Sequence, residues 1–276
     1  MVVDAHVHVI PPSVDAPPSM VGEHRDVDRI LEQTGADRLI LSPWVQLVGG
    51  DRAGLNDAMA ALVSDRAAVL GAASLDDPGE LRTLMRGPLA GVEITAEPAL
   101  GADRYAPFWA TAEETGALVF VHPTSNPRGF AGPDEHYLWN TVGNPTETAI
   151  AASHLVMSGV LERHPDLKVL LAHGGGALPW LRGRLRHAHE HLAAAQTRLR
   201  EPVEDSLRRL HYDTVTHDPA VLRGLVEFAG AERVLLGSDH PFDMADPDPI
   251  ATVLAAGLDG ADKAAVLGGN AERLIA

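Results

Sequence analysis

The chain has 276 residues, 45% of them hydrophobic, a formal net charge of -16 and no cysteine. That length can bury a sizeable core, the acidic balance argues against a nucleic-acid surface, and the absence of cysteine excludes a disulfide framework. No apolar run nears the ~18 residues of a membrane helix and no basic-then-apolar leader opens the sequence, so a cytoplasmic protein with no membrane partner is expected.

In chain order, apolar runs predict strands at residues 2–9, 38–43, 69–75, 90–95, 118–122, 168–173, 210–215 and 234–239. Helical patterns fall between them at 27–33, 55–66, 104–115, 146–163, 179–199, 219–229 and 261–274. Eight strands alternating with helices predict parallel pairing with right-handed crossovers. The expectation is an α/β protein, a single (β/α)8 TIM-barrel domain spanning residues 1–276, close to the ~250 residues typical of that fold. No Gly-x-Gly-x-x-Gly turn supports the open dinucleotide-binding alternative.

Polar residues close several of these runs. His6 and His8 end the first, His122 the fifth, His173 the sixth and Asp239 the eighth. In such a barrel those ends open on one face, where active sites lie. Two residues apart on a strand, His6 and His8 point the same way, and Asp4 in register with them is placed to hold an imidazole from behind. A second cluster, His187-Ala-His-Glu-His191, lies on a helical pattern, where residues two apart diverge by about 200°. His187 and His191 share a face there, and a solvated helix surface accounts for them. Three imidazoles and one carboxylate suit Zn2+ first, with Mn2+, Fe2+ or Co2+ also accepted. Such an ion lowers the pKa of its water towards neutrality, where a further histidine can act as base.

Asp4-Ala-His-Val-His8, Phe120-Val-His-Pro123, Leu171-Ala-His-Gly-Gly-Gly176 and Leu236-Gly-Ser-Asp-His-Pro-Phe242 together resemble the amidohydrolase-2 branch of the amidohydrolase superfamily. Its best-known type is the aminocarboxymuconate-semialdehyde decarboxylase family. Gly143-Asn-Pro-Thr-Glu-Thr148 and Gly159-Val-Leu-Glu-Arg-His-Pro-Asp166 belong to the same pattern. The resemblance implies one metal ion on His6, His8, His122 and Asp239, with His173 acting on the metal's water. It also implies that Arg184 reaches the carboxylate of a substrate in a neighbouring subunit, hence a homodimer. Binuclear relatives carry a carboxylated lysine on the fourth strand. Glu93 stands in that strand here, as either a structural or a site residue.

The family's first-loop arginine has no clear counterpart, since residues 9–26 are short, proline-rich and offer only Arg25. The long connection 123–145 carries Arg128, Phe130, Tyr137 and Trp139 and reads as a lid over the metal, with Arg128 and Trp139 as substrate contacts. His217, after the seventh strand, fits a local hydrogen bond or the site equally. The reading that results is non-oxidative decarboxylation of a small unsaturated or aromatic carboxylic acid, using His173 and Asp239. Hydrolysis of a lactone or amide by the same centre is the alternative, and a silent binding barrel a remote one.

Overall fold

The computed structural model describes residues 1–15, 25–124, 135–196 and 198–276. Its eight parallel strands follow chain order around one sheet: β1 (Val3–Val9), β2 (Arg38–Pro43), β3 (Ala67–Ala72), β4 (Gly91–Thr95), β5 (Leu118–His122), β6 (Lys168–Leu171), β7 (His211–Asp213) and β8 (Val234–Leu235). Beyond β8 the chain closes on β1. Ala5 N donates to Leu236 O, Asp239 N to His6 O and His8 N to His240 O, each at 2.8 Å. The result is the expected barrel.

Around it run α1 (Val27–Thr34), α2 (Arg52–Ala60), α3 (Pro78–Leu84), α4 (Ala106–Thr115), α5 (Asn144–Met157) and α6 (Val160–Arg163). They are followed by α7 (Leu178–His191), α8 (Val203–Leu207), α9 (Pro219–Ala229), α10 (Pro249–Ala255), α11 (Gly260–Ala264) and α12 (Asn270–Ile275). The expected helix over 146–163 is two, because Gly159 adopts φ +66° and stops the first. The helix expected to run to residue 199 ends at His191. α3, α8 and α10 are too short to show a helical period and were not predicted. Six N-caps among the described residues are side-chain built: Asp26, Asp51, Asp77, Asp218, Asp248 and Asp259 accept from the first-turn N–H groups of α1, α2, α3, α9, α10 and α11, as short polar residues do there.

The barrel is filled by Val3, Ala5, Ile40, Leu70, Leu118, Phe120, Leu170 and Leu235, all buried. Val7 and Val9 instead join Ile30, Leu31, Leu55 and Met59 in the layer beneath α1 and α2. This change of face within β1 has a cause. Asp4 lies opposite Leu39 but Val7 opposite Leu41, so β1 spends one residue more than its partner. A bulge of this kind flips the alternation. It turns His6 and His8 inward although Val3 and Ala5 already face inward.

β6 and β8 end earlier than their apolar runs. His173 and Asp239 stand beyond the strands at φ +57° and +61°, in the left-handed region. Such a backbone persists in non-glycine residues only where neighbours hold it. Gly174, Gly175 and Gly176 continue the left-handed path after His173. A Cβ at Gly176 would lie 2.0 Å from Pro145 O. The glycine run and the Gly143–Thr148 motif are therefore two halves of one contact. Within that motif Glu147 is buried and accepts from Thr124 N at 2.7 Å, tying α5 to the end of β5.

Two glycines test this packing in opposite directions. A Cβ at Gly91 would meet Leu118 O of the paired strand at 1.9 Å, and strand backbone cannot yield. Gly91→Ala is expected to cost about 3 kcal/mol or more. Gly183, inside α7, has no atom near its Cβ position, so Gly183→Ala should gain roughly 0.5–1 kcal/mol. Denaturant unfolding of both variants checks the sign of each change.

Candidate metal centre

His6, His8, His122 and Asp239 each place a ligand atom within 4.8 Å of the others, and all four are buried. Their outer ring nitrogens are already engaged. His6 Nδ1 lies 2.6 Å from Asp213 Oδ2, His8 Nδ1 3.0 Å from Pro43 O, and His122 Nδ1 2.8 Å from Pro123 O. With the Nδ1 atoms held from behind, the Nε2 atoms face the centre, as a ligand imidazole requires. His6 Nε2 and His8 Nε2 approach to 3.1 Å, and Asp239 Oδ1 lies 3.1 and 3.5 Å from them. His122 Nε2 and Asp239 Oδ1 are buried without a hydrogen-bond partner. Buried polar atoms are rarely left so, and a divalent cation satisfies both. The residues therefore fit a metal ion.

The charges agree with that fit. Burial opposes a charge on His6, but Asp239 and Asp213 outweigh it and push the imidazole up to about 10. Burial, reinforced by the other imidazoles, holds His122 well below its ordinary value, and burial also lowers His8. Burial opposes ionisation of Asp239 too, yet His6 and His173 hold its carboxyl well below the usual range. The pocket thus stabilises one positive charge between two carboxylates, a place a divalent cation takes over.

Asp213 was not among the expected residues. It takes the role given to Asp4, and the bulge in β1 explains the exchange. Asp4 Oδ1 accepts from the backbone N–H of His6 at 3.2 Å and of Ser238 at 3.0 Å. The imidazole itself belongs to Asp213, whose oxygens also accept from His173 N, Gly174 N and Val215 N at 2.8, 2.7 and 3.0 Å. An acid interrupting the seventh apolar run was the available signal.

His173 places Nε2 3.2 Å from Asp239 Oδ2 and leaves Nδ1 buried and unpartnered. Above the centre is a chamber of about 290 Å³ walled by Trp44, Tyr137, Trp139 and Phe242, with His122, His173 and Asp239 at its floor. Trp44 and Phe242 pack at 4.5 Å between ring centroids, Tyr137 and Trp139 at 4.9 Å. Trp139 is thus in the chamber wall. No arginine or lysine lines the chamber among the described residues.

The other candidates fall elsewhere. Arg128 and Phe130 lie outside the described residues. Arg184 is exposed on α7 and makes no hydrogen bond or ion pair among the described residues. Arg25 donates to Pro11 O, Pro12 O and Val14 O, fastening its own loop. His217, at φ +55°, is exposed and lines a neighbouring cavity of about 750 Å³ that shares Asn140, Asn144 and His173 with the chamber. Glu93 is fully buried, 3.8 Å from His8 Nδ1, with neither carboxyl oxygen hydrogen-bonded among the described residues. Burial pushes its carboxyl well above the usual range, which favours the neutral acid.

Asp213→Asn tests the support of His6. The amide keeps one acceptor for the backbone N–H groups but loses the charge behind the imidazole. Divalent-metal affinity should fall roughly 10- to 100-fold, measured by competition with a chelator, while the circular dichroism spectrum is retained.

Known proteins resemble this chain in sequence and in fold. The 2-amino-3-carboxymuconate-6-semialdehyde decarboxylase of Dictyostelium discoideum is 34% identical over 149 residues, 52% of this chain and 40% of that protein. The 6-methylsalicylic acid decarboxylase of Penicillium expansum is 34% identical over 149 residues, 51% of this chain and 44% of that protein. The matched stretch is thus less than half the length of either relative. In fold, the chain is similar to a dihydroxybenzoic acid decarboxylase from Polaromonas sp. JS666, solved with bound manganese and the inhibitor 2-nitroresorcinol. The TM-score is 0.82 at 20% identity, covering 99% of this chain and 96% of that one. A family model described as amidohydrolase matches residues 3–276, and the chain belongs to the amidohydrolase family.

Proposed function

We propose that the chain is a mononuclear metal-dependent decarboxylase acting, without oxidation, on a small aromatic or unsaturated carboxylic acid. The observation that carries this reading is the convergence of three imidazole Nε2 atoms and an Asp239 oxygen beneath an aromatic-walled chamber. The decarboxylase relatives support it. Lysine occurs only at 168 and 263, so β4 has none to bridge a second ion.

His6, His8, His122 and Asp239 would hold the ion, with zinc the first choice for three nitrogens and one carboxylate and manganese, iron(II) or cobalt acceptable. When bound, the ion supplies a Lewis acid for a substrate oxygen. The chain's residues do the rest. Trp44, Trp139 and Phe242 hold a flat, unsaturated substrate by its faces. His173, against Asp239, holds a proton beside the reacting carbon. Decarboxylation breaks the bond from that carbon to the carboxyl group. The electron pair left on the carbon takes the proton, and CO2 departs. The work asked of His173 is proton transfer at one atom, which a positioned imidazole performs near neutral pH.

The purified protein should contain about one divalent ion per chain and release CO2 from an aromatic acid in a substrate screen. His173→Ala should lose roughly 10²–10⁴ in kcat while keeping its metal. Loss of the metal with the activity would make His173 a ligand. Acid release from lactones or amides, with no CO2 from any acid, would turn the reading to hydrolysis.

We further propose a homodimer in which Arg184 serves the partner's chamber, with Arg128 as a second anchor for the small carboxylate substrate. Trp180 and Leu181 flank Arg184 on α7 and are 66% and 38% exposed. An apolar surface beside an unpaired guanidinium suits a symmetric contact, and the guanidinium can grip a carboxylate with two parallel bonds. Mixing Arg184→Ala with His6→Ala protein should restore up to about a quarter of wild-type activity, since each mixed dimer regains one intact site. Full activity in a species that sediments as a monomer would overturn the shared site.

A further inference from the structure

α7 carries a second group of metal-binding side chains, far along the helix from its Pro179 end. His187 and His191 stand one turn apart with ring centroids 4.6 Å from each other and planes inclined at 58°. Both are exposed, and His187 makes no hydrogen bond among the described residues. The carboxylate of Glu190 lies 3.8 Å from His191 Nε2. His189, between them in sequence, is turned about 200° away and bonds Leu199 O at 2.9 Å.

We propose that His187 and His191, on the turns of α7 beyond the Trp180–Arg184 segment, form a second metal site that takes a borderline transition ion, Ni2+, Cu2+ or Zn2+, through two imidazole nitrogens. Residues four apart on a helix share a face, and here the rings already meet. The backbone is fixed before any ion arrives, so little ordering remains to oppose chelation. Imidazole selects these ions over calcium or magnesium, which require oxygen donors. Glu190 offers a third donor and water completes the shell. With two protein nitrogens on an open surface, the ion exchanges freely. The central cluster, with four buried ligands, holds its ion more tightly. An ion bound to the folded helix but not to the unfolded chain also stabilises the fold by mass action. It clamps the last turn of α7, where the closing carbonyls lack partners within the helix.

The test titrates Ni2+ calorimetrically into protein already loaded at the central cluster. Wild type should bind one ion beyond the central one. His187→Ala and His191→Ala should each weaken that binding roughly 100-fold, the advantage a second tethered ligand confers. His189→Ala should leave it unchanged. Ni2+ should also raise the Tm of wild type and not of the His187→Ala/His191→Ala double variant. Equal isotherms and equal Tm shifts in wild type and the double variant would overturn the proposal. These exposed substitutions leave the core untouched, so the result is independent of what reaction the central cluster performs.

Discussion

One buried carboxylate organises the mouth of this barrel. Asp213 ends β7 and binds four groups at once: the Nδ1 side of His6 and the backbone N–H groups of His173, Gly174 and Val215. Burial opposes its charge, but the hydrogen bond and charge of His6, with His173 and the Gly174 N–H, together outweigh it and hold the carboxyl below its ordinary range. By those bonds it fixes the orientation of a ligand on β1 and the left-handed turn that presents His173 after β6. Three strands far apart in sequence thus converge on one anion. Removing its charge would leave a buried imidazole and a strained turn without their common partner.

Asp239 is the counterpart on the opposite side. Its Oδ1 faces His6 and His8 while its Oδ2 meets His173. One carboxylate therefore links the candidate ligands His6 and His8 to His173. That coupling depends on barrel closure, because Asp239 N donates to His6 O across the junction of last strand and first. Closure and site assembly are the same event. A barrel opened at β8 would lose the ligand as well as the pairing.

The barrel and five of its mouth residues were legible in the sequence because polar groups broke apolar runs at the same relative place, strand after strand. What escaped was geometry that depends on two distant segments. The bulge in β1 occurs in Asp4-Ala-His-Val7, which has no glycine or proline to mark it. Strict alternation therefore gave Asp4 the place that Asp213 occupies. The ends of β6 and β8 were read as strand because Leu171-Ala172 and Leu236-Gly237 remain apolar. The backbone leaves the ladder there to satisfy Asp213 and to close on β1. The Gly143–Thr148 motif was visible as a signature, but its physical role required seeing Pro145 O against Gly176.

The chamber walls narrow what the central chemistry can act upon. Trp44, Tyr137, Trp139 and Phe242 present π faces, while Asp243 is the acid at the rim. Among the described residues no cation of this chain lines the space, so the proposed substrate carboxylate would meet its opposite charge at an ion held by the cluster or on a group brought from elsewhere. On the proposed reading, that carboxylate would lie between the aromatic faces, with the amides of Gln46, Asn140 and Asn144 sharing the lining. Conversion to neutral CO2 would remove a charge from beside those aromatic faces. In that reading the walls and His173 would act together, the aromatic faces disfavouring the charged group and His173 supplying the proton that takes its place.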